Sequence, residues 1–245
     1  CSELYLDRGL EFGAEGERPG DDTDRFLEFW NHVFMSYDLA EDGTLTELPT
    51  KNIDTGMGLD RMAGVLQDVP SVFETDHIRP LVDLAEELSG HSYAEGGAVR
   101  RAMRIVADHS RGAAFLIADG VVPSNEDRGY VLRRIMRRAI QQGRTLGLEA
   151  PWLGRFAERT IELMGEAYPE LVAERGNIER WVGDEADVIE RFAEESPSHV
   201  RIDDQLRRSP LGEDDAVVQD VSPVAQSERL ANVVVGDQHA DPTVL

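Results

Sequence analysis

Along the first third of the chain, apolar positions alternate with polar ones more than they cycle. CSELYL, residues 1–6, reads as a short strand. A loop rich in glycine and acidic residues follows, from Asp7 to Asp24. Phe26 to Tyr37 (FLEFWNHVFMSY) is a longer, aromatic strand, and Asp42-Gly43 is a turn signal ahead of a second strand near Thr44–Leu48. Together these predict a hairpin. Pro49–Thr55 then leads into IDTGMGLDRMAGVL, beyond which the apolar spacing becomes helical over about Leu59–Val69. Another helix is predicted over Ile78–Leu88, closed by Ser89-Gly90.

From Gly97 the pattern is helical throughout. Val99–Ala118 carries Met103, Val106, Ala107, Ala114, Phe115 and Ile117, with Asp119-Gly120 as a stop. In GYVLRRIMRRAIQQ (129–142) the period groups Val131, Leu132, Ile135, Met136 and Ala139 on one face, flanked by Arg133, Arg134, Arg137 and Arg138. Further helices fit Pro151–Glu166 and Pro169–Ala193. The tail from about Ser196 has Ser-Pro and Asp-Pro pairs, acidic patches and short valine runs without either period, and is expected to be disordered or poorly packed. No internal repeat is evident.

Charge changes this picture in one place. The chain carries a net charge of -23, which argues against a simple nucleic-acid binder. Residues 97–144, however, hold 10 arginines against 4 acids, between flanks that are each strongly acidic. Such a block suits a phosphate-binding face, and equally an arginine-rich helix neutralised by acidic neighbours. With 245 residues there is room for one large domain or two smaller ones. No apolar run is long enough for a signal peptide or a membrane span, so a soluble protein is expected. The lone cysteine, Cys1, allows no internal disulfide, which fits a reducing cytoplasm. A first residue other than Met suggests a piece of a longer chain.

Three stretches could carry chemistry. On the strand 26–37, Asn31 is a single amide on the face otherwise formed by Leu27, Phe29, Val33, Met35 and Tyr37. Either it bonds a neighbouring loop, or it anchors a small ligand with Val33 beside it as a steric gauge. In DTGMGLDR, the Gly-x-Gly alone is consistent with a tight strand-to-helix turn. Asp54 could pair with an ammonium group, Gly56 and Gly58 leave bare backbone, and Arg61 directs a planar cation toward the same space. An acid for an amine and an arginine for ATP together suggest amino-acid activation. In SNEDRG (124–129), Ser124 or Asn125 can cap the next helix, or Asn125 can touch a base while arginines clamp phosphates. His77 and His109 lack the partner spacing of a metal site.

CSELYLDRG, LEFWNHVFMSY, DTGMGLDRMAGVLQ and IVADHSRGAAFLIADGVVPSNEDRGYVLRRIMRRAIQQG, four blocks in order, resemble the alanyl-tRNA synthetases almost continuously to about residues 184–185. DTGMGLDR is similar to the third signature motif of the class II synthetases, whose glycines and arginine line the ATP site. The resemblance implies an α+β fold. Residues 1–96 would be the C-terminal part of the class II antiparallel catalytic sheet, 97–195 a helical tRNA-recognition domain, and 196–245 an atypical tail. It implies that Asn31, Val33, Asp54 and Gly56 line the alanine pocket, with Asp54 and Arg61 as the catalytic pair. Gly56, Gly58 and Arg61 would face ATP with its Mg2+. Asn125 would read the identity wobble pair of the tRNA acceptor stem, with Arg128, Arg133 and Arg137 on phosphates.

The implied reaction is activation of alanine by ATP to alanyl-adenylate and transfer to the tRNA 3′ end, in the cytoplasm. The resemblance also places the family's first two class motifs before Cys1, and its editing region with zinc beyond this chain. By that reasoning the fragment alone is expected to be inactive. The tail runs SPSHVRIDDQLRRSPLGEDD where the family carries an Asp-Thr-Tyr-Gly-Phe-Pro block that also reads the base pair. Two other readings stay open: a non-catalytic acceptor-stem binding module, and an inactive remnant.

Overall fold

The computed structural model describes residues 1–183 and the backbone of 233–237. It divides into two compact units: residues 1–75 with the strand 233–237, and the helices that follow from residue 76.

The first unit is a four-stranded antiparallel sheet. β1 (Ser2–Asp7), β2 (Phe26–Leu39), β3 (Leu45–Met57) and β4 (Val233–Asp237) lie in the order β3-β2-β1-β4. The β2–β3 hairpin turns at Asp42-Gly43 as expected: Gly43 has φ 84°, and Asp42 Oδ1 accepts the Thr44 amide at 2.9 Å. β3 is far longer than the predicted Thr44–Leu48, because the segment with Pro49 is also strand. Proline lacks a ladder donor and is confined to edges and bulges. β3 is an edge strand, and its pairing with β2 jumps from Met35↔Asn52 to Tyr37↔Glu47, so Pro49 falls in the interruption. Among the described residues, Tyr5, Leu6, Phe29 and Phe73 are the buried hydrophobic side chains of this unit. Arg25 closes the loop after β1 by a two-pronged bond to Asp7, 2.8 and 2.7 Å. α1 (Leu59–Gln67) follows β3 directly and ends at Asp68, whose φ is 50°.

The second unit contains α2 (Arg79–Ser89), α3 (Gly97–Ala118), α4 (Asp127–Thr145), α5 (Leu153–Met164), α6 (Pro169–Ala173) and a further helix over 175–183. The single helix expected over Pro169–Ala193 is thus interrupted at Glu174, and 184–193 lies outside the described residues. α3 is central, touching α2, α4, α5 and α6, and it buries Met103, Val106, Ala107, Ala114 and Ile117. Gly97 begins α3, and α2 packs on α3 as well. Of the tail expected from Ser196, only β4 is described.

The apolar face of α4 differs from the predicted one. Val131 is 51% exposed, whereas Leu132, Met136, Ala139, Ile140, Gly129 and Gly143 are buried. A hydrophobicity pattern omits glycines, and here two of them line the buried side and rotate it away from Val131.

Candidate functional sites

In the sheet unit, strand register decides what meets. Directly opposed residues of an antiparallel pair project from the same face, and so do alternate residues of one strand. Asn31 lies opposite Gly56 and Val33 opposite Asp54. The four residues therefore form one contiguous patch on one face of β2 and β3. On the other face, Trp30 and His32 stack at 5.2 Å, and the Trp30 indole donates to Thr55 Oγ1.

Each member of the patch can be read chemically. Asn31 also pairs with Glu3 of β1, and its Nδ2 donates to Glu3 Oε1 at 2.9 Å. Glu3 is 2% exposed and accepts from the Tyr5 hydroxyl on its other oxygen. Burial and this carboxylate hold the Tyr5 phenol well above its usual pKa, so it stays a donor. Anchored to Glu3 by its nitrogen, the Asn31 amide has its oxygen left to accept. Asp54 is exposed, and one of its oxygens takes the Thr55 amide at 2.8 Å. Among the described residues no arginine or lysine pairs with it. Gly56, the penultimate residue of β3, is still paired with Asn31 and has no positive φ, and a Cβ built on it meets nothing within 4 Å. Neither turn nor packing calls for a glycine there, although glycine weakens a strand. The space it leaves is open to a ligand. Val33, 39% exposed, borders that space.

Gly58 and Arg61 come from the strand-to-helix junction. Gly58 is the N-cap of α1, and its N–H is engaged by the Phe29 carbonyl at 3.1 Å. It can therefore offer a ligand bare surface but not this amide, unlike a glycine loop that cradles phosphate with its N–H groups. A Cβ at Gly58 would come within 3.3–3.5 Å of the Arg61 stem, so the arginine folds back over this glycine. Its Nη1 donates to the Glu28 carbonyl at 2.7 Å, which pins the guanidinium against β2, the strand that carries Asn31.

In the helical unit, the arginine block divides by role. Arg104 is 1% exposed and its Nε donates to the Tyr93 hydroxyl at 2.5 Å. The guanidinium carbons of Arg79, Arg100 and Arg104 lie 5.0, 5.2 and 5.3 Å from the Tyr93 ring, so these cations pack around an aromatic. Arg128, Arg137 and Arg138 of α4 are exposed, and Arg133 and Arg134 are half-buried. The exposed arginines of the block lie on α4, apart from Arg101 of α3.

The loop before α4 does not cap it as expected. The N-cap is Glu126, and no side chain caps the helix. Ser124 instead bonds Glu126, donating to its carbonyl at 2.8 Å and accepting its amide at 3.3 Å. Asn125 is exposed and accepts from Arg133 Nη1 at 2.5 Å. Glu3, the anchor of Asn31, was not singled out by sequence; Glu3 and Tyr5 alternating in SELYLD were the available signal.

The sequence profile described as tRNA synthetases class II (A) matches residues 1–194. Alanine–tRNA ligase of Desulfosudis oleivorans is 52% identical over 173 residues, 70% of this chain and 20% of the relative. That of Clostridioides difficile is 46% identical over 185 residues, 75% of this chain and 21% of the relative. That of Xanthomonas axonopodis pv. citri is 42% identical over 231 residues, 94% of this chain and 24% of the relative. The chain spans about a fifth to a quarter of the length of these curated relatives. It belongs to the class II (A) tRNA synthetase family.

Proposed function

We propose that this family member supplies part of the aminoacylation machinery of an alanine–tRNA ligase, which activates alanine with ATP and transfers it to the 3′ end of its tRNA. The observation that carries the reading is the shared face of Asn31, Val33, Asp54 and Gly56. An exposed carboxylate, an oriented amide and a vacant glycine position suit a small amino acid: Asp54 takes the ammonium group, Gly56 leaves room for it, and Val33 limits its side chain. Arg61 offers a planar cation to the phosphates or adenine of ATP, with Gly58 as bare surface beneath it.

Magnesium would accompany the phosphates of ATP, since it commonly binds through one or two carboxylates plus substrate phosphates. When bound, it would supply charge neutralisation at the reacting phosphate, while the residues here position the reactants. In the helical unit, Asn125 contacts the acceptor stem and Arg128 and Arg137 contact its phosphates. Zinc belongs to the family's editing region. The cytoplasm is the proposed compartment; no described helix is long and apolar enough to cross a membrane.

A second reading, a non-catalytic acceptor-stem module, is favoured by the exposed arginines of α4, which do not depend on the sheet. Pyrophosphate exchange separates the two. In a full-length ligase containing this segment, Asp54→Ala should raise the Michaelis constant for alanine far more than that for ATP. If bound alanine buries its ammonium against Asp54, loss of the carboxylate costs about 2–5 kcal/mol, roughly thirtyfold or more. Unchanged alanine kinetics would remove Asp54 from the pocket.

A further inference from the structure

A close backbone approach and hydrogen bonds tie down the loop that presents Asn125. A Cβ on Gly129 would lie 2.2 Å from Ser124 Oγ and 2.4 Å from the Val122 carbonyl, so loop and helix approach more closely than any side chain allows. Ser124 then closes the loop on Glu126 with two bonds of its own. Asn125 sits at the apex of this closed loop, exposed, and Arg133 reaches back from the second turn of α4 to bond it at 2.5 Å.

The direction of that bond has a consequence. A guanidinium carries only donors, so the atom of Asn125 that faces Arg133 must be the carbonyl oxygen, whichever way an amide is drawn. The amide NH2 is then the end turned away from α4. We propose that Arg133 is the positioning residue of the RNA-reading site. It holds the Asn125 amide with its NH2 outward, so the group read on the RNA is a hydrogen-bond acceptor, a base-edge or ribose oxygen or a ring nitrogen. This rests on the reading of Asn125 as an RNA contact given above. It replaces the phosphate contact that resemblance assigns to Arg133 with a role in orientation. The remaining phosphate contacts then fall to Arg128 and Arg137, both exposed.

The two roles for Arg133 make opposite demands on binding. A phosphate ligand releases counterions, so removing it lowers the salt slope by about 1 and weakens all RNAs alike. A positioning residue alters preference and leaves the slope in place.

The experiment titrates the full 245-residue chain with a short RNA hairpin carrying the wobble pair, and with the same hairpin carrying a Watson–Crick pair, over a salt series. Asn125→Ala should cut the preference ratio by roughly tenfold, the size expected for one base contact. Arg133→Ala should cut it several-fold without changing the slope, and the double variant should lose no more than Asn125→Ala alone. Arg133→Lys, which keeps a donor, should recover part of the ratio. Asn125→Asp keeps a partner for Arg133 but turns an acceptor toward the RNA, and should lose the preference. Arg137→Ala should lower the slope by about 1.

If Arg133→Ala lowers the slope and spares the ratio, Arg133 is a phosphate ligand and the proposal is overturned. Additive losses in the double variant overturn it as well. If Asn125→Ala leaves the ratio intact, or the unaltered chain shows no preference, the underlying reading of Asn125 fails instead, and the proposal with it. Should Arg133→Ala not fold, the Asn125 side-chain amide resonances decide: they should move in Arg133→Lys and Arg133→Gln, and their constancy would contradict the contact.

Discussion

The sheet unit and the helical unit place their site residues by different physical means. In the sheet, four residues from two strands are brought onto one face by register alone, and few hydrophobic side chains are buried around them. Val33, Phe34, Met35, Ile53 and Met57 are all at least 39% exposed. In the helical unit the core is deep, with Met103, Val106, Leu132, Met136, Phe156 and Ile161 at 2% exposure or less. Its candidate site rides on the outside of that core, on the exposed side of α4 and the loop before it. Backbone hydrogen bonding thus sets one site and side-chain packing the other. The two should respond differently to mutation.

The largest difference should come from the core. Leu132→Ala removes a fully buried side chain and should destabilise the helical unit by about 2–5 kcal/mol. Val33→Ala, at a half-open position in the sheet, should change stability by no more than about 0.5 kcal/mol. Thermal melts of the chain with each change would show it, and equal losses would break the comparison. A smaller effect, confined to activity, is expected of Arg61→Lys in a full-length ligase. Lysine keeps the charge but loses the fork that bonds the Glu28 carbonyl, so ATP use should weaken roughly tenfold, about 1.4 kcal/mol. Wild-type dependence of pyrophosphate exchange on ATP concentration would reduce Arg61 to a brace on β2.

The smallest effect separates the units by acid. The Arg25 bond holds the Asp7 carboxyl below its usual pKa, and the Thr44 amide does the same for Asp42; both lie in the sheet unit. In the helical unit, the Ser92 amide lowers Glu95. A carboxyl depressed by folding adds stability that is present above its unfolded value, near 4, and is lost as pH falls through the folded one. Both units should therefore weaken below about pH 4, the sheet unit somewhat more. Replacing Arg25 with Gln should flatten the acid limb of the sheet unit's melting profile. An unaltered limb would show that the Asp7 pair contributes nothing measurable.

How much of this was legible beforehand follows from the same contrast. Alternation alone placed Asn31 with Val33 on one strand face. It could not place them opposite Gly56 and Asp54, because that register depends on an interruption near Pro49 that no local signal announces. Recognition of the motif blocks supplied the grouping that periodicity could not. On α4 the helix was plain, but its buried face was displaced by Gly129 and Gly143, which carry no hydrophobic weight. Ser124 and Asn125 have the chemistry of caps, yet Glu126 holds the cap position. Ser124 is occupied within its own loop and Asn125 with Arg133, contacts that sequence spacing does not display.

We propose that the face shared by Asn31, Val33, Asp54 and Gly56 is shaped for a ligand rather than for the fold. Gly56→Ala tests it most directly, because a Cβ there meets no atom of the chain. Melting of this chain and alanine-dependent pyrophosphate exchange by a full-length ligase would be measured for the same substitution. Stability should be unchanged or slightly raised, by up to about 1 kcal/mol, while the Michaelis constant for alanine should rise steeply. Normal alanine kinetics in a stably folded Gly56→Ala protein would contradict the proposal.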